Sequence, residues 1–417
     1  MINKYVPMIL IINYQRELFL FIGKNCNSIS LDEQKRMLLS RSFKLFNNHS
    51  KSILLNGTCN SFSTAIMFEK TGVPSEVLST KEIKTAKVGS SQIGLKMLAA
   101  PLNTSDFNMI EGTYGIKAKL PSVGGNEGVA IVTEVGPNVK DLQINDWVIP
   151  ASPGFGTWRE NHVVESKEVL KVPNDIPAVY ASTIAVNPAT AYRLLRDFAT
   201  LKPGDYIMQN GANSMVGLAV IQMAREMDIK TINIVRDRPD VSETLELLSN
   251  YGGNINVPSS YVGTPGFKEI LAELPDIKLG FNCVGGDIVV DMARSLTTGA
   301  TIVTYGGMSK KPVETPNDIL TNKKLNLKGF WVSEWNEKAK KEERSAMLED
   351  IANMIKSKKL SFLYEMHDFD DFNYAMKRHY TDYKLRKVVL NMDYPDRLAE
   401  HDALDEADYY AFDAPRY

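Results

Sequence analysis

Cysteine is scarce in this sequence. Cys26, Cys59 and Cys283 are the only three among 417 residues, and they stand far apart. Such spacing offers neither a disulfide framework nor a thiolate zinc site, and a reducing compartment fits it. Histidine is thin and scattered, at His49, His162, His367, His379 and His401, positions that suit surface or packing roles better than a ligand set. A basic excess is missing as well. Lys and Arg number 48 against 50 Asp and Glu, for a net charge of −2, so nucleic acid is not an indicated partner. Nor does any uninterrupted apolar run reach the roughly eighteen residues of a membrane span. The apolar runs 8–12 and 18–22 are split by Gln15, Arg16 and Glu17.

One absence carries information of its own. From Met37 to Phe68 there is no Asp or Glu, while Arg41, Lys44 and Lys51 alternate with apolar residues, serines and asparagines. A basic, serine-rich, acid-free amphipathic stretch has the composition of an organelle transit peptide; a basic extension without a targeting role has the same composition. Residues 1–64 are accordingly expected to be a targeting or disordered extension, with 1–36 an upstream addition. The opposite holds at the other end. Residues 393–417 carry Asp402, Asp405, Glu406 and Asp408 and little to bury, which predicts an acidic tail.

What is present is organised around residues 206–217, YIMQNGANSMVG. An apolar run stops at Gly211, and an apolar helical pattern starts at Val216. A strand, a tight glycine turn and a helix form the layout in which helical amides meet a pyrophosphate. Gly211 permits the turn and Gly217 lets the helix lie close to its strand. The usual middle glycine is missing, since Ala212, Asn213 and Ser214 fill the loop, so a glycine turn with no ligand stays open. About twenty residues on, a second strand ends in Arg236–Asp237–Arg238–Pro239. Two arginines suit a phosphate, as each brings fixed donors and permanent charge, and they favour NADPH. Asp237 competes, because an acid near that spacing grips a ribose hydroxyl and favours NAD.

Before this stretch, short strand-like runs at 65–68, 93–98, 128–135, 147–149 and 162–164 are punctuated by turn residues, the pattern of a small β-barrel lobe. Helical sequence is expected over 178–199. Strands and helices then alternate at 206–208, 216–226, 231–235, 241–250, 278–282, 288–295 and 301–305, which predicts a parallel sheet covered on both faces. Charged helical sequence at 336–358 and a late strand at 388–390 return after it. One lobe interrupts another.

Several motifs, taken in order, give this chain its resemblance. They are Asn103–Thr104–Ser105–Asp106 with Gly112–Thr113–Tyr114, then Gly125–Asn126–Glu127–Gly128, Phe155–Gly156–Thr157–Trp158 and Val186–Asn187–Pro188. After the 209–217 turn and Arg236–Pro239 come Asn282–Cys283–Val284–Gly285–Gly286, Tyr305–Gly306–Gly307–Met308–Ser309 and Gly329–Phe330–Trp331–Val332. Together they resemble the medium-chain dehydrogenase/reductase superfamily, and within it the mitochondrial 2-enoyl thioester reductases. The resemblance runs from about residue 65 to 392. It implies an α/β fold in which a doubly wound, Rossmann cofactor domain (186–331) is inserted in a GroES-like β-barrel catalytic domain (65–185 and 332–392). It also implies NADPH as cofactor, an enoyl-CoA or enoyl-acyl carrier protein substrate, the mitochondrial matrix, and a homodimer joined through the cofactor-lobe sheets.

The same resemblance assigns roles. The tyrosine of the Gly-x-Tyr motif, here Tyr114, protonates the α-carbon after hydride reaches the β-carbon. A phenol with an ordinary pKa near ten stays protonated at working pH and can act as the general acid. Asn103 is a candidate for orienting that tyrosine or the thioester oxygen, and a turn-former after Pro101 is the plainer reading. Gly115 stands where the family has proline. Cofactor contacts are implied for Asn187, for Asn213, Ser214, Met215 and Val216, for Arg236, Asp237 and Arg238, for Tyr305, Gly306, Gly307 and Met308, for Phe330, Trp331 and Val332, and for Lys387. Zinc-dependent relatives place a histidine where this chain has Asn126, and no cysteine lies between Cys59 and Cys283, so no metal site is expected. Related alternatives are a zinc-free quinone or alkenal oxidoreductase and a non-catalytic, crystallin-like NADPH-binding protein.

Overall fold

The computed structural model describes residues 62–383 and 385–392, together with the backbone of 9–14 and 17–22. The last two stretches, Ile9–Tyr14 and Glu17–Ile22, pair antiparallel as a hairpin. The transit-like segment from Met37 and the acidic tail 393–417 lie outside the described residues.

From Phe62 onward the chain builds a barrel-like lobe around one long strand, Gln92–Pro101. The seven-stranded sheet runs Val169–Val172, Trp147–Pro150, Val129–Val135, Gln92–Pro101, Lys387–Asn391 and Tyr364–Asp368, with Asn161–Glu165 also pairing the long strand. Lys387–Asn391, almost three hundred residues downstream, pairs antiparallel with that strand through Leu390 and Ala100. The first lobe is therefore closed by the last of the described strands, and the second lobe is inserted between Val169–Val172 and Tyr364–Asp368. A smaller sheet of Leu78–Lys84, Phe62–Phe68 and Ser122–Val123 packs nearby. Trp158, fully buried, is wedged against glycine backbone. A Cβ on Gly124 would stand 2.4 Å from its ring, so glycine here makes room for the largest side chain in the core.

The inserted lobe is a six-stranded parallel sheet ordered Ile255–Pro258, Lys230–Val235, Tyr206–Asn210, Leu279–Asn282, Thr301–Thr304 and Asn326–Gly329. In chain order that is 3-2-1-4-5-6, the doubly wound arrangement. Helix Met215–Glu226 buries nearly its whole length against this sheet, and it packs on helix Asn187–Asp197. The central strands read as short apolar runs because both faces are covered.

Several expectations need correcting. The pattern at 178–199 is two helices, Ala178–Ala181 and Asn187–Asp197, broken by Ser182–Val186. Likewise 336–358 divides into Val332–Lys338 and Lys341–Lys356. The edge strands Ile255–Pro258 and Asn326–Gly329 were not legible. Asn326–Gly329 is exposed throughout, so burial imposed no apolar pattern on it. Helix Thr104–Glu111 was hidden inside a motif. Asp106, three residues in, reaches back and accepts from Asn103 N at 2.7 Å, half of a capping box and an N-terminal signature that the spacing does carry.

Candidate active site

Most of the residues expected to hold cofactor share one topological position, and the exceptions are Asn187, which opens helix Asn187–Asp197, and Lys387, which opens a barrel strand. Gly211 to Ser214 follow Tyr206–Asn210, Arg236 to Arg238 follow Lys230–Val235, Tyr305 to Met308 follow Thr301–Thr304, and Phe330 to Val332 follow Asn326–Gly329. All lie just beyond the carboxyl ends of parallel strands, where open α/β sheets bind ligands.

The first of these loops is fixed from beneath. Gln209 Nε2 donates to Gly217 O at 3.0 Å and to Asn233 Oδ1 at 2.8 Å, while Asn210 Nδ2 donates to Asn282 Oδ1 at 2.8 Å. Gly211 turns with φ +59°, and a Cβ there would stand 2.4 Å from Cys283 Sγ. Ser214 caps the helix by accepting from Gly217 N at 3.2 Å. At Gly217 a Cβ would meet Ala212 O at 2.4 Å. The loop therefore needs glycine at its first and last positions, and Asn213 between them holds no left-handed φ. The amides of Met215 and Val216 open the first helical turn, where backbone N–H groups suit an anion.

Beyond the second strand the three charged residues separate. Asp237 accepts from Ser260 N at 3.0 Å and from the hydroxyls of Ser259 and Ser260. Its carboxylate is spent on tethering the 259–261 turn. Arg236 and Arg238 both face Tyr383, with Cζ 4.5 Å and 5.1 Å from the ring centroid. Arg238 Nε is buried with no hydrogen-bond partner, a donor left over for a ligand.

The third and fourth loops frame the tyrosine. Tyr305 N donates to Asn282 O and Met308 N to Cys283 O, each at 2.9 Å. A Cβ on Gly307 would have no neighbour within 4 Å. The Tyr305 phenol itself is buried, and that burial, with Cys283 beside it, pushes its pKa well above the usual value. Its backbone is the part that faces outward. Phe330 packs edge-on against Phe198, and Val332 is buried at the start of its helix. Between them, Trp331 Nε1–H donates to Tyr114 Oη at 2.9 Å. Ser333 Oγ lies 3.5 Å from the same phenol oxygen. Tyr114 comes from the barrel lobe, beyond helix Thr104–Glu111, with its amide donating to Asn108 O at 3.0 Å. Its hydroxyl thus meets residues that follow the last strand of the parallel sheet.

Asn103 is not among the orienting partners of Tyr114. Its Oδ1 accepts from Lys387 Nζ at 2.6 Å and from Asn187 Nδ2 at 3.3 Å, and its Nδ2 donates to Glu127 Oε2 at 2.9 Å. Lys387 Nζ also donates to Leu102 O at 2.8 Å, while Glu127 Oε1 accepts from Val186 N at 2.8 Å. Asn103 is therefore the bridge between a buried ammonium and a buried carboxylate, and the set joins the barrel to the first helix after it. Burial pushes the Glu127 carboxyl up to about 7, against the opposing pull of Lys387. Asp106, also buried, rises to about 6. Glu127, Asp106 and Ser333 carried no assigned role in the sequence reading, although Glu127 and Asp106 both stand inside quoted motifs.

At the position where zinc-dependent relatives place a ligand, Asn126 is otherwise engaged. Its side chain donates to Asp106 Oδ1 at 2.8 Å and accepts from Gly154 N at 2.7 Å. Among the described residues no group of three or more His, Cys, Asp or Glu is placed to hold a metal. A reduced dinucleotide with a 2′-phosphate does fit what is present, given the orphaned Arg238 donor and the open face of Gly307.

Comparison with known proteins follows the same division. The family described as "Alcohol dehydrogenase GroES-like domain" matches residues 89–174, and that described as "Zinc-binding dehydrogenase" matches 216–353. The chain is 42% identical to the mitochondrial enoyl-[acyl-carrier-protein] reductase of Xenopus tropicalis, covering 78% of this chain and 95% of the relative. It is 39% identical to that of Dictyostelium discoideum, covering 83% and 99%, and 43% identical to the human protein, covering 71% and 80%. Among solved structures, the complex of Etr1p with NADP and crotonyl-CoA superposes with a TM-score of 0.74 at 29% identity, covering 79% of this chain and 100% of that one. A Pseudomonas syringae quinone oxidoreductase shares the fold at 22% identity, with a TM-score of 0.68 and coverage of 79% and 99%.

Proposed function

The chain belongs to the mitochondrial enoyl-[acyl-carrier-protein] reductase family, and from that premise we propose that it reduces trans-2-enoyl thioesters of CoA or acyl carrier protein with NADPH. The observation that carries the reading is the phenol of Tyr114, a barrel-lobe residue, held by Trp331 and Ser333 at the carboxyl edge of the cofactor sheet. Bound NADPH supplies the hydride that goes to the substrate's β-carbon.

The chain's own residues do the rest. Amides at the start of helix Met215–Glu226 take the pyrophosphate, and Arg236 and Arg238 take the 2′-phosphate. The backbone of Tyr305 to Met308 and of Phe330 to Val332 walls the nicotinamide side. Lys387 and Asn103 act from below through Asn187, holding the base of the site in register. Tyr114 Oη–H delivers its proton to the α-carbon, and the Trp331 indole N–H stabilises the oxygen left negative by that transfer. Hydrogen-bond donors polarise the thioester carbonyl.

Relatives with mitochondrial names place the protein in the mitochondrion; we assign it to the matrix. The exposed edge strand Asn326–Gly329 supports a homodimer in which a second copy continues the sheet. The direct test is loss of NADPH absorbance with a short trans-2-enoyl-CoA, run beside a quinone. Oxidation with the quinone alone would overturn the reading, and so would oxidation with neither.

A further inference from the structure

The segment leading into Lys387–Asn391 reaches across to the two arginines beyond the second parallel strand. Tyr383 lays its ring beneath both guanidinium groups, at 4.5 Å and 5.1 Å, and its carbonyl accepts from Arg238 Nη1 at 3.2 Å. Asp382, beside it, accepts from Arg236 Nη2 at 3.2 Å. Tyr383 holds φ +58°, a left-handed backbone that a bulky residue adopts only when its surroundings enforce it.

We propose that Tyr383 is a specificity-determining residue that sets the planes of Arg236 and Arg238 for a ribose 2′-phosphate, and that Asp382 holds Arg236 only until the phosphate displaces it. This rests on reading the two arginines as the 2′-phosphate site. Two guanidinium groups side by side repel, and a ring face offers both an attractive surface without taking up their donors. Arg238 keeps its buried Nε unpaired, so the pair is arranged but not satisfied. The Arg236–Asp382 pair is largely exposed, with side chains 62% and 78% accessible, and shifts an equilibrium by no more than about fivefold. A phosphate, with more charge and more acceptor oxygens, outcompetes it. NADH, lacking that group, leaves the Asp382 contact in place.

The test is direct titration of NADPH and NADH, followed by nicotinamide fluorescence, on full-length protein. Tyr383→Ala should weaken NADPH by roughly tenfold and NADH by less than about twofold, and Tyr383→Phe should restore NADPH affinity. Asp382→Asn should tighten NADPH by about two- to fivefold and leave NADH alone. Equal effects on both cofactors, or an Asp382→Asn change that weakens NADPH or leaves it untouched, would overturn the proposal. Thermal melts on the same samples separate misfolding from lost selectivity, and Tyr383→Phe and Asp382→Asn keep the question decidable if Tyr383→Ala does not fold. Arg236→Ala with Arg238→Ala serves as the reference. An unchanged NADPH-to-NADH ratio there refutes the 2′-phosphate reading itself, whereas a changed ratio beside silent Tyr383 and Asp382 variants sinks only the present proposal.

Discussion

The indole of Trp331 stands edge-on to the ring of Tyr114, with centroids 5.6 Å apart at 88°, and its N–H points at the phenol oxygen. The two residues lie 217 positions apart and in different lobes. The donor sits on the oxygen from which Tyr114 would give up its proton under the proposed function.

Tyr114→Phe should therefore lower turnover of a trans-2-enoyl thioester by about a hundredfold or more, with NADPH affinity within a few-fold of wild type. Trp331→Phe keeps the ring contact and removes only the donor, and should cost roughly tenfold. Steady-state kinetics with a short enoyl-CoA separates the two, and equal turnover in wild type and Tyr114→Phe removes the phenol from the mechanism.

Glu127 gives a pH prediction. Its carboxyl is raised in the folded state to about 7, above its unfolded value of about 4.3. The native protein holds that proton across pH 5 to 7 while the unfolded chain has released it. This group's contribution to stability is therefore fully present below about pH 4.3 and is lost as pH rises through 7. Glu127→Gln should be less stable than wild type, because one of two accepted hydrogen bonds is lost. The deficit should narrow by an amount on the order of 2 kcal/mol between pH 5 and pH 8. Denaturant melts at both values check it, and a gap that widens with pH contradicts the assignment.

Replacing either of two glycines should weaken NADPH binding, but the two replacements should differ in stability. Gly217→Ala drives a methyl into Ala212 O, so it should cost about 1–3 kcal/mol of stability and weaken NADPH at the displaced loop. Gly307→Ala meets nothing within 4 Å and should melt with wild type, while its methyl intrudes on the space reserved for cofactor and weakens NADPH. Thermal melts paired with NADPH titration read both. Normal NADPH binding in Gly307→Ala would place the nicotinamide elsewhere.

Asp237 and its neighbours make a third contrast. Asp237→Ala should lower the melting temperature, because the carboxylate anchors Ser259 and Ser260, yet leave the NADPH-to-NADH preference in place. Arg236→Ala with Arg238→Ala should raise the KM for NADPH much more than that for NADH. A preference that moves with Asp237 alone would assign it to the ribose after all.

Much of this was legible along the chain. Short apolar runs marked the central parallel strands because both faces are covered, and the polar residues buried among them, such as Gln209 and Asn233, bond to one another. Glycine at 211 and 217 marked the dinucleotide turn because no side chain fits either place. Edge strand Asn326–Gly329 was invisible for the converse reason. Nothing covers it, so nothing constrains its residues. Sequence reading offered Asn103 to orient Tyr114 or the thioester oxygen, or as a turn-former, whereas its side chain bonds Lys387, Asn187 and Glu127 instead of Tyr114.

What sequence alone determined is the architecture, since local pattern and glycine placement answer to forces acting within a few residues; Tyr114 as the acid is what the family resemblance implies. Which groups surround that acid was decided by tertiary structure. Trp331 reaches Tyr114, Lys387 reaches Asn103 and Tyr383 reaches the arginine pair through contacts that the fold makes between distant segments. Contacts between residues hundreds of positions apart leave no periodic trace, and only the closed barrel fixes their geometry.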